Sequence, residues 1–201
     1  MKKNIAVVGC GHWGKNLVRN FYELGVLASI CDPNIDIAEK YSKQHSVQNH
    51  SFSEIINDSN IEGVVLAVPA KYHAAMAIDA IKQGKHVFVE KPLAMNEAEA
   101  TLMSETAKEN KVQLMVGHLL QYHPVFQKVK EMVLSGEIGE IIYIYSNRLS
   151  FGKVRTEEDV IWSFAPHDIS MILSLVNQEP EFITAHSTAM LQDNIADTAT
   201  I

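Results

Sequence analysis

Only two cysteines, Cys10 and Cys31, occur in the 201 residues. So few cannot make a disulfide framework, and they read as free thiols in a reducing cytoplasm. No stretch approaches the roughly 20 apolar residues of a membrane span. The charged start, Met1-Lys2-Lys3, is followed by an apolar run that Gly9, Gly11 and His12 break too early for an export signal. Positive charge is also scarce. The formal net charge is −7 and no basic stripe is present, which disfavours nucleic-acid binding. No internal repeat or low-complexity segment occurs. What remains is a globular composition, 47% hydrophobic and 20% charged. The length suits one large domain, or one domain and part of another.

The chain is organised around Val7-Val8-Gly9-Cys10-Gly11-His12-Trp13-Gly14. Lys3 to Val8 is an apolar run of the right length for a buried parallel strand. Gly9, Gly11 and Gly14 follow in the G-x-G-x-x-G spacing. Gly9 permits the tight turn, Gly11 lets a pyrophosphate approach the backbone, and Gly14 lets the helix pack close to the strand. The following helix carries Trp13, Leu17, Phe21 and Leu24 on one face, and its positive end suits a phosphate. A second apolar run, Val26 to Cys31, ends in Asp32. That aspartate lies 18 residues beyond Gly14, where a dinucleotide fold places the acid for the adenosine ribose hydroxyls. The alternative is a glycine-rich turn and a surface aspartate. Strand, turn, helix, strand and acid in this order favour the dinucleotide.

Alternation continues to about residue 117. Helices are predicted over Asn34 to Gln44, Ser53 to Asp58 with a Ser51–Glu54 capping box, Lys71 to Gln83, and from Asn96 to Asn110. Strands are predicted over Ile61 to Val68, ended by Pro69, and over His86 to Val89 and Val112 to Val116. This alternation implies a parallel sheet covered by helices on both faces. Beyond Gly117 the pattern changes. A helix is predicted from His123-Pro124 to Gly136, then a long strand over Glu140 to Leu149, a charged loop over Phe151 to Val160, and a helix over Pro166 to Val176. Glu181 to Leu191 reads as a strand and Thr198 to Ile201 as the start of another. The expected fold class is α/β: a doubly wound dinucleotide domain over 1–122, then the beginning of an α+β domain with an open sheet over 123–201.

Glu90-Lys91-Pro92 follows a buried strand, so it lies at the carboxyl edge of the parallel sheet, where such folds bind ligands. Pro92 keeps Lys91 out of helical geometry. A lysine there could polarise a substrate oxygen; the alternative is a solvated lysine in a proline-fixed loop.

The segment Gly84-Lys85-His86-Val87-Phe88-Val89-Glu90-Lys91-Pro92-Leu93-Ala94 resembles the signature of the glucose–fructose oxidoreductase and inositol dehydrogenase family (Gfo/Idh/MocA). The glycine motif, Asp32, and the strand leading to Pro69 and His73 match as well. The resemblance implies an NAD(P)-dependent oxidoreductase with a Rossmann domain and a second α/β domain whose open sheet often forms the subunit interface. It implies cofactor contacts from Gly9, Gly11, His12, Trp13, Gly14, Asp32, Pro69, His73, Glu90 and Lys91. Lys91 would touch both substrate and the nicotinamide ribose.

A second match is Trp162-Ser163-Phe164-Ala165-Pro166-His167-Asp168-Ile169. His167 matches the family's catalytic histidine. Ser163 stands where the family commonly has an acid, and Gly117 to Pro124 lacks the common asparagine and arginines. Arg148, Lys153, Arg155 and Trp162 together resemble a branch acting on nucleotide-linked sugars for surface polysaccharides. Substrate contacts are therefore expected from His118, Tyr122, Arg148, Arg155, Trp162 and Asp168. For the basic residues, the alternative is an ordinary charged loop. His167 also has a reading from the residues: in the first turn of a helix the ring stays neutral and can take a hydroxyl proton as hydride leaves the same carbon. The alternative is a capping or core histidine. His118 and His123 lack a third partner with ligand spacing, so no metal is expected.

The sequence thus predicts a cytoplasmic NAD-dependent dehydrogenase of a sugar or nucleotide-sugar, NADP being the less favoured cofactor. Lys91 would polarise the oxygen and His167 exchange its proton. A non-catalytic NAD-binding regulator or scaffold of the same fold is the alternative. Expected partners are the small-molecule substrate and further copies of the chain through the C-terminal sheet, with neither nucleic acid nor membrane. Because the last strand is just starting at Ile201, the chain is also expected to be an incomplete enzyme that binds NAD with little turnover.

Overall fold

The computed structural model describes residues 2–149, 154 and 158–201. The chain separates into two compact units, Met1–Gly117 and His118–Ile201. The sequence placed the change after residue 122. Leu119–Tyr122 forms a 3-10 turn, and the Gln121 side chain donates to the Ser170 carbonyl (2.6 Å) within the second unit.

The first unit runs β1 (Ile5–Val8), α1 (Gly14–Glu23), β2 (Leu27–Cys31), α2 (Ile35–His45), β3 (Gln48–Asn49), α3 (Phe52–Asn57), β4 (Gly63–Leu66), α4 (His73–Lys82), β5 (His86–Val89), α5 (Glu97–Glu109) and β6 (Leu114–Val116). The strands form one parallel sheet in the order β3-β2-β1-β4-β5-β6. Strand alternation gives the sheet two apolar faces. Ala6 and Val8 of β1, with Val64 and Leu66 of β4, join a core that includes Ile55, Ala77, Ile81 and Met103. Val7 and Val65 face the other way, into a core with Val18, Leu27 and Ile30. Burial on both faces is why these strands read as continuous apolar runs. The helix starts follow the sequence: Asn34 caps α2, Ser51 and Glu54 form a capping box on α3, and Asn96 caps α5. β3 was not anticipated, because two residues carry no periodicity.

Strand order reverses at β1, whose neighbours are β2 and β4. The crevice at the carboxyl ends of β1 and β4 is where open α/β sheets bind ligands. The glycine loop leaves β1 there, and the Glu90-Lys91-Pro92 turn leaves β5 at the same edge.

The second unit holds α6 (Pro124–Leu134), α7 (Val160–Val176), β7 (His186–Thr188) and β8 (Thr198–Thr200). β7 and β8 pair antiparallel. Two expectations change here. Residues 141–149 carry no strand. β-branched and aromatic content favours a strand only where a ladder partner exists, and among the described residues none pairs with this run. The strand expected over 181–191 shrinks to three residues for the same reason. Among the described residues, no helix is long and apolar enough to cross a membrane.

Candidate active site

The glycine loop shows which of its glycines the protein itself requires. Gly9 has φ +90°, and a Cβ there would meet the Ala67 carbonyl oxygen at 2.5 Å. A Cβ on Gly14 would stand 1.9 Å from the Gly9 oxygen. Gly11 differs: a Cβ there would meet nothing within 4 Å. No protein contact demands glycine at that position, and the open space beside it would let a pyrophosphate come close to the backbone. No side chain caps α1, which leaves its positive end open to a phosphate. His12 and Trp13 are exposed beside it.

Asp32 stands at the end of β2. Its Oδ2 accepts from the Cys10 N–H (2.7 Å) and its Oδ1 from the Asn34 N–H (2.9 Å). Its own N–H donates to Asn49 Oδ1 (3.3 Å). The acid is therefore tied to the glycine loop. Each carboxylate oxygen keeps a further lone pair for a ribose hydroxyl. Burial, then the nearby Asp32 carboxylate, pushes the Cys10 thiol up to about 12. Both cysteines are free, and burial raises the Cys31 thiol as well. Neither is set up as a nucleophile.

A second tie crosses the sheet edge. Trp13 Nε1 donates to Glu90 Oε1 (2.7 Å), and the Lys91 N–H donates to Glu90 Oε2 (3.3 Å). The sequence assigned Trp13 and Glu90 separately to the cofactor; the structure joins them to each other. Glu90 is buried. Burial pushes its carboxyl up, against the hydrogen bonds from Trp13 and Lys91. The folded chain thus holds the Glu90 proton more tightly than the unfolded chain. The associated stability is complete below the ordinary value of 4.5 and is lost as pH rises through the raised folded value. Glu90→Gln has no such loss. Its melting temperature relative to the unmodified chain should therefore climb as pH rises above 4.5 through the raised folded value. Calorimetry on both chains across that range checks this; a constant or falling difference would remove the buried carboxyl as the cause.

Pro69 is exposed just beyond β4. His73, which opens α4, is buried at 1% exposure, with Nδ1 2.7 Å from the Pro92 carbonyl oxygen and Nε2 2.9 Å from that of Val68. The sequence placed His73 on the cofactor; its ring nitrogens face backbone carbonyls instead. Lys91 is half-buried, and its peptide bond to Pro92 is cis. Lys85, part of the same signature, is also buried, and its ammonium donates to the carbonyls of Asp58 (2.6 Å) and Ile61 (2.8 Å). Its role is to close the chain entering β4.

In the second unit, Asp168 takes a fork from Arg148, with Nε–Oδ2 at 2.7 Å and Nη2–Oδ1 at 3.2 Å, and a bond from Ser146 Oγ (2.8 Å). Burial pushes the Asp168 carboxyl up, but the Arg148 and Ser146 bonds outweigh it and hold it below the usual carboxylate range. These two expected substrate contacts therefore partner each other, leaving Arg148 its remaining N–H groups for a ligand. α7 begins at Val160, capped by Asp159, whose carboxylate accepts from the Trp162 N–H (2.9 Å). The sequence took Pro166 as the helix start. Pro166 lies inside the helix and has no N–H for the Trp162 carbonyl. His167 is therefore about two turns from the helix start, and the positive-end argument for its neutrality does not hold.

Ser163 is buried and its hydroxyl donates to Glu158 Oε1 (2.7 Å). The Glu158 carboxylate, five residues earlier and next to the Asp159 cap of α7, thus lies beside the Ser163 hydroxyl. In the sequence Glu158 reads only as one of the acids that offset the charged loop; its contact with Ser163 emerges in the fold. Burial pushes the His118 imidazole down. Tyr122 is exposed. Arg155 and Lys153 lie outside the described residues. Among the described residues, no group of three or more His, Cys, Asp or Glu could hold a metal ion.

The sheet order, the glycine loop and the acid at the end of β2 define a dinucleotide-binding α/β protein of the Rossmann class. The family model for oxidoreductases with an NAD-binding Rossmann fold matches residues 3–118. The chain belongs to this family, Gfo/Idh/MocA. It is 27% identical over 195 residues to UDP-N-acetylglucosamine 3-dehydrogenase of Acidithiobacillus ferrooxidans, covering 96% of this chain and 60% of that one. It is 33% identical over 144 residues to the NAD(+)-dependent scyllo-inositol 2-dehydrogenase of Bacillus subtilis, covering 69% and 42%. The solved structure of the Acidithiobacillus enzyme superposes with a TM-score of 0.88, over 98% of this chain and 63% of that one, at 27% identity. The chain spans about half the length of the curated relatives it matches.

Proposed function

We propose that this chain serves an NAD-dependent dehydrogenase acting on a carbinol carbon of a sugar, and that the sugar is carried on a nucleotide. The observation that carries the reading is one sheet edge bearing both a glycine loop tied to Asp32 and the Lys91 turn. Bound NAD supplies the hydride acceptor. Gly11 and the start of α1 take the pyrophosphate, and Asp32 the adenosine ribose. Lys91 polarises the substrate oxygen. His167 takes the hydroxyl proton as hydride leaves the carbon, and returns it in the reverse direction. A relative named UDP-N-acetylglucosamine 3-dehydrogenase supports the nucleotide-sugar class, and a place in polysaccharide synthesis is part of the same proposal. Two free cysteines accord with a reducing cytoplasm. The test is a screen of the full-length protein with NAD and NADP against nucleotide-sugars and free polyols, read at 340 nm. NAD binding with no reduction on any of them would favour a regulator or scaffold.

The reading includes self-association through the second unit. Ile142, Tyr143, Tyr145 and Leu149 are 96%, 80%, 71% and 86% exposed. An apolar run this open marks an interaction surface. Sedimentation velocity should show the mean coefficient rising with concentration, and a chain carrying Ile142→Lys and Tyr145→Lys should stay smaller at each concentration. A monomer throughout would remove the oligomer.

A further inference from the structure

We propose that His73 is a positioning residue for Lys91, acting through its bond to the Pro92 carbonyl. The inference deepens the dehydrogenase reading and rests on Lys91 as the group that polarises substrate oxygen. Lys91 lies between two anchored neighbours. On one side the Glu90 carboxylate is held by Trp13 Nε1 at 2.7 Å. On the other, the Pro92 carbonyl faces His73 Nδ1 at 2.7 Å. The His73 ring also faces the Val68 carbonyl, at 2.9 Å through Nε2. Val68 and Pro92 lie just beyond β4 and β5, neighbouring strands of the sheet. The ring thus bridges the two chain segments that leave the sheet at its ligand edge. It is 1% exposed, so water does not compete at either contact.

The two contacts make different claims on the ring. A neutral imidazole has one N–H and can donate to one carbonyl; an imidazolium donates to both. The shorter contact is to Pro92, and it is the one next to Lys91. A bond to Val68 alone would brace the core and leave the turn free. The bond to Pro92 sets where the lysine side chain starts.

Two near-isosteric substitutions separate these roles. The Asn amide nitrogen falls near the place of Nδ1, so His73→Asn keeps a donor for Pro92. The Gln amide nitrogen falls near Nε2, so His73→Gln keeps a donor for Val68. In the full-length protein, with the substrate found by the screen, His73→Asn should keep kcat within about threefold. His73→Gln should lower kcat about 10- to 100-fold, the scale for displacing a reacting group by about 1 Å. NADH affinity, read by fluorescence titration, should be alike in the two. Equal kcat in both variants, or a kcat loss matched by the same loss of NADH affinity, would overturn the proposal. Amide hydrogen exchange of the peptide spanning residues 90–95 gives a readout without turnover. Exchange should be faster in His73→Gln than in His73→Asn, and equal exchange overturns the proposal. A chain that exchanges as expected but oxidises no sugar supports the positioning role and sinks the dehydrogenase reading. If His73→Gln does not fold, His73→Phe, which keeps a buried ring and loses both bonds, takes its place.

Discussion

Alanine at Lys91 or at His167 should cut turnover of the full-length protein by about 10²- to 10⁴-fold, the range for a positioned acid–base group. NADH should still bind to both variants, because the proposed pyrophosphate and adenosine-ribose contacts lie on the glycine loop and Asp32. The two losses should differ in kind. In the proposed mechanism His167→Ala removes the group that exchanges the hydroxyl proton, whereas Lys91→Ala removes the group that polarises the oxygen. Stopped-flow reduction of NAD at several pH values measures both. Near-normal turnover in His167→Ala would move the proton to another group. His118, held down by burial, and Tyr122 are next in line.

Asp32→Ala should weaken NAD by about 10- to 100-fold and narrow a preference for NAD over NADP. In the proposed site the Asp32 carboxylate would bind the ribose hydroxyls and repel a 2′-phosphate. No arginine follows it; Pro33, Asn34, Ile35 and Asp36 come next. The loss has a second source. The Asp32 carboxylate also holds the Cys10 and Asn34 N–H groups, and hydrogen bonds to a charged group contribute about 1.5–3 kcal/mol each. At about 1.4 kcal/mol per tenfold, even a partly relaxed loop reaches the stated range. The gap should narrow mostly by loss of NAD, with little gain for NADP. Asp32→Asn keeps one acceptor and should fall between. Titration of NADH and NADPH against the three chains checks the order; NADPH binding as tight as NADH in the unmodified chain would overturn the assignment.

How much of this was legible varied with the distance over which each feature is decided. The capping box of Ser51 and Glu54 was readable because its partners are three residues apart. The parallel strands were readable because burial on both faces leaves unbroken apolar runs. The run 140–149 misled for the complementary reason. Its composition suits a strand, but a strand also needs a neighbour, and composition carries no information about one. Pro166 misled because proline is common at a helix start, whereas here the Asp159 cap had already begun α7.

By itself, the sequence determined the doubly wound class, the dinucleotide loop, the acid at Asp32 and the family signature around Lys91. All of these are written in local spacing, where strand period, turn glycines and caps act within a few residues. Tertiary structure alone decided what those residues do to one another. Trp13 and Glu90 are 77 residues apart, Cys10 and Asp32 are 22, and His73 and Pro92 are 19. Such bonds form only once the sheet brings the ends of β1, β2, β4 and β5 to one edge. The parallel register, set by buried apolar side chains and not by the polar groups themselves, is therefore what turned separate candidates into a braced site.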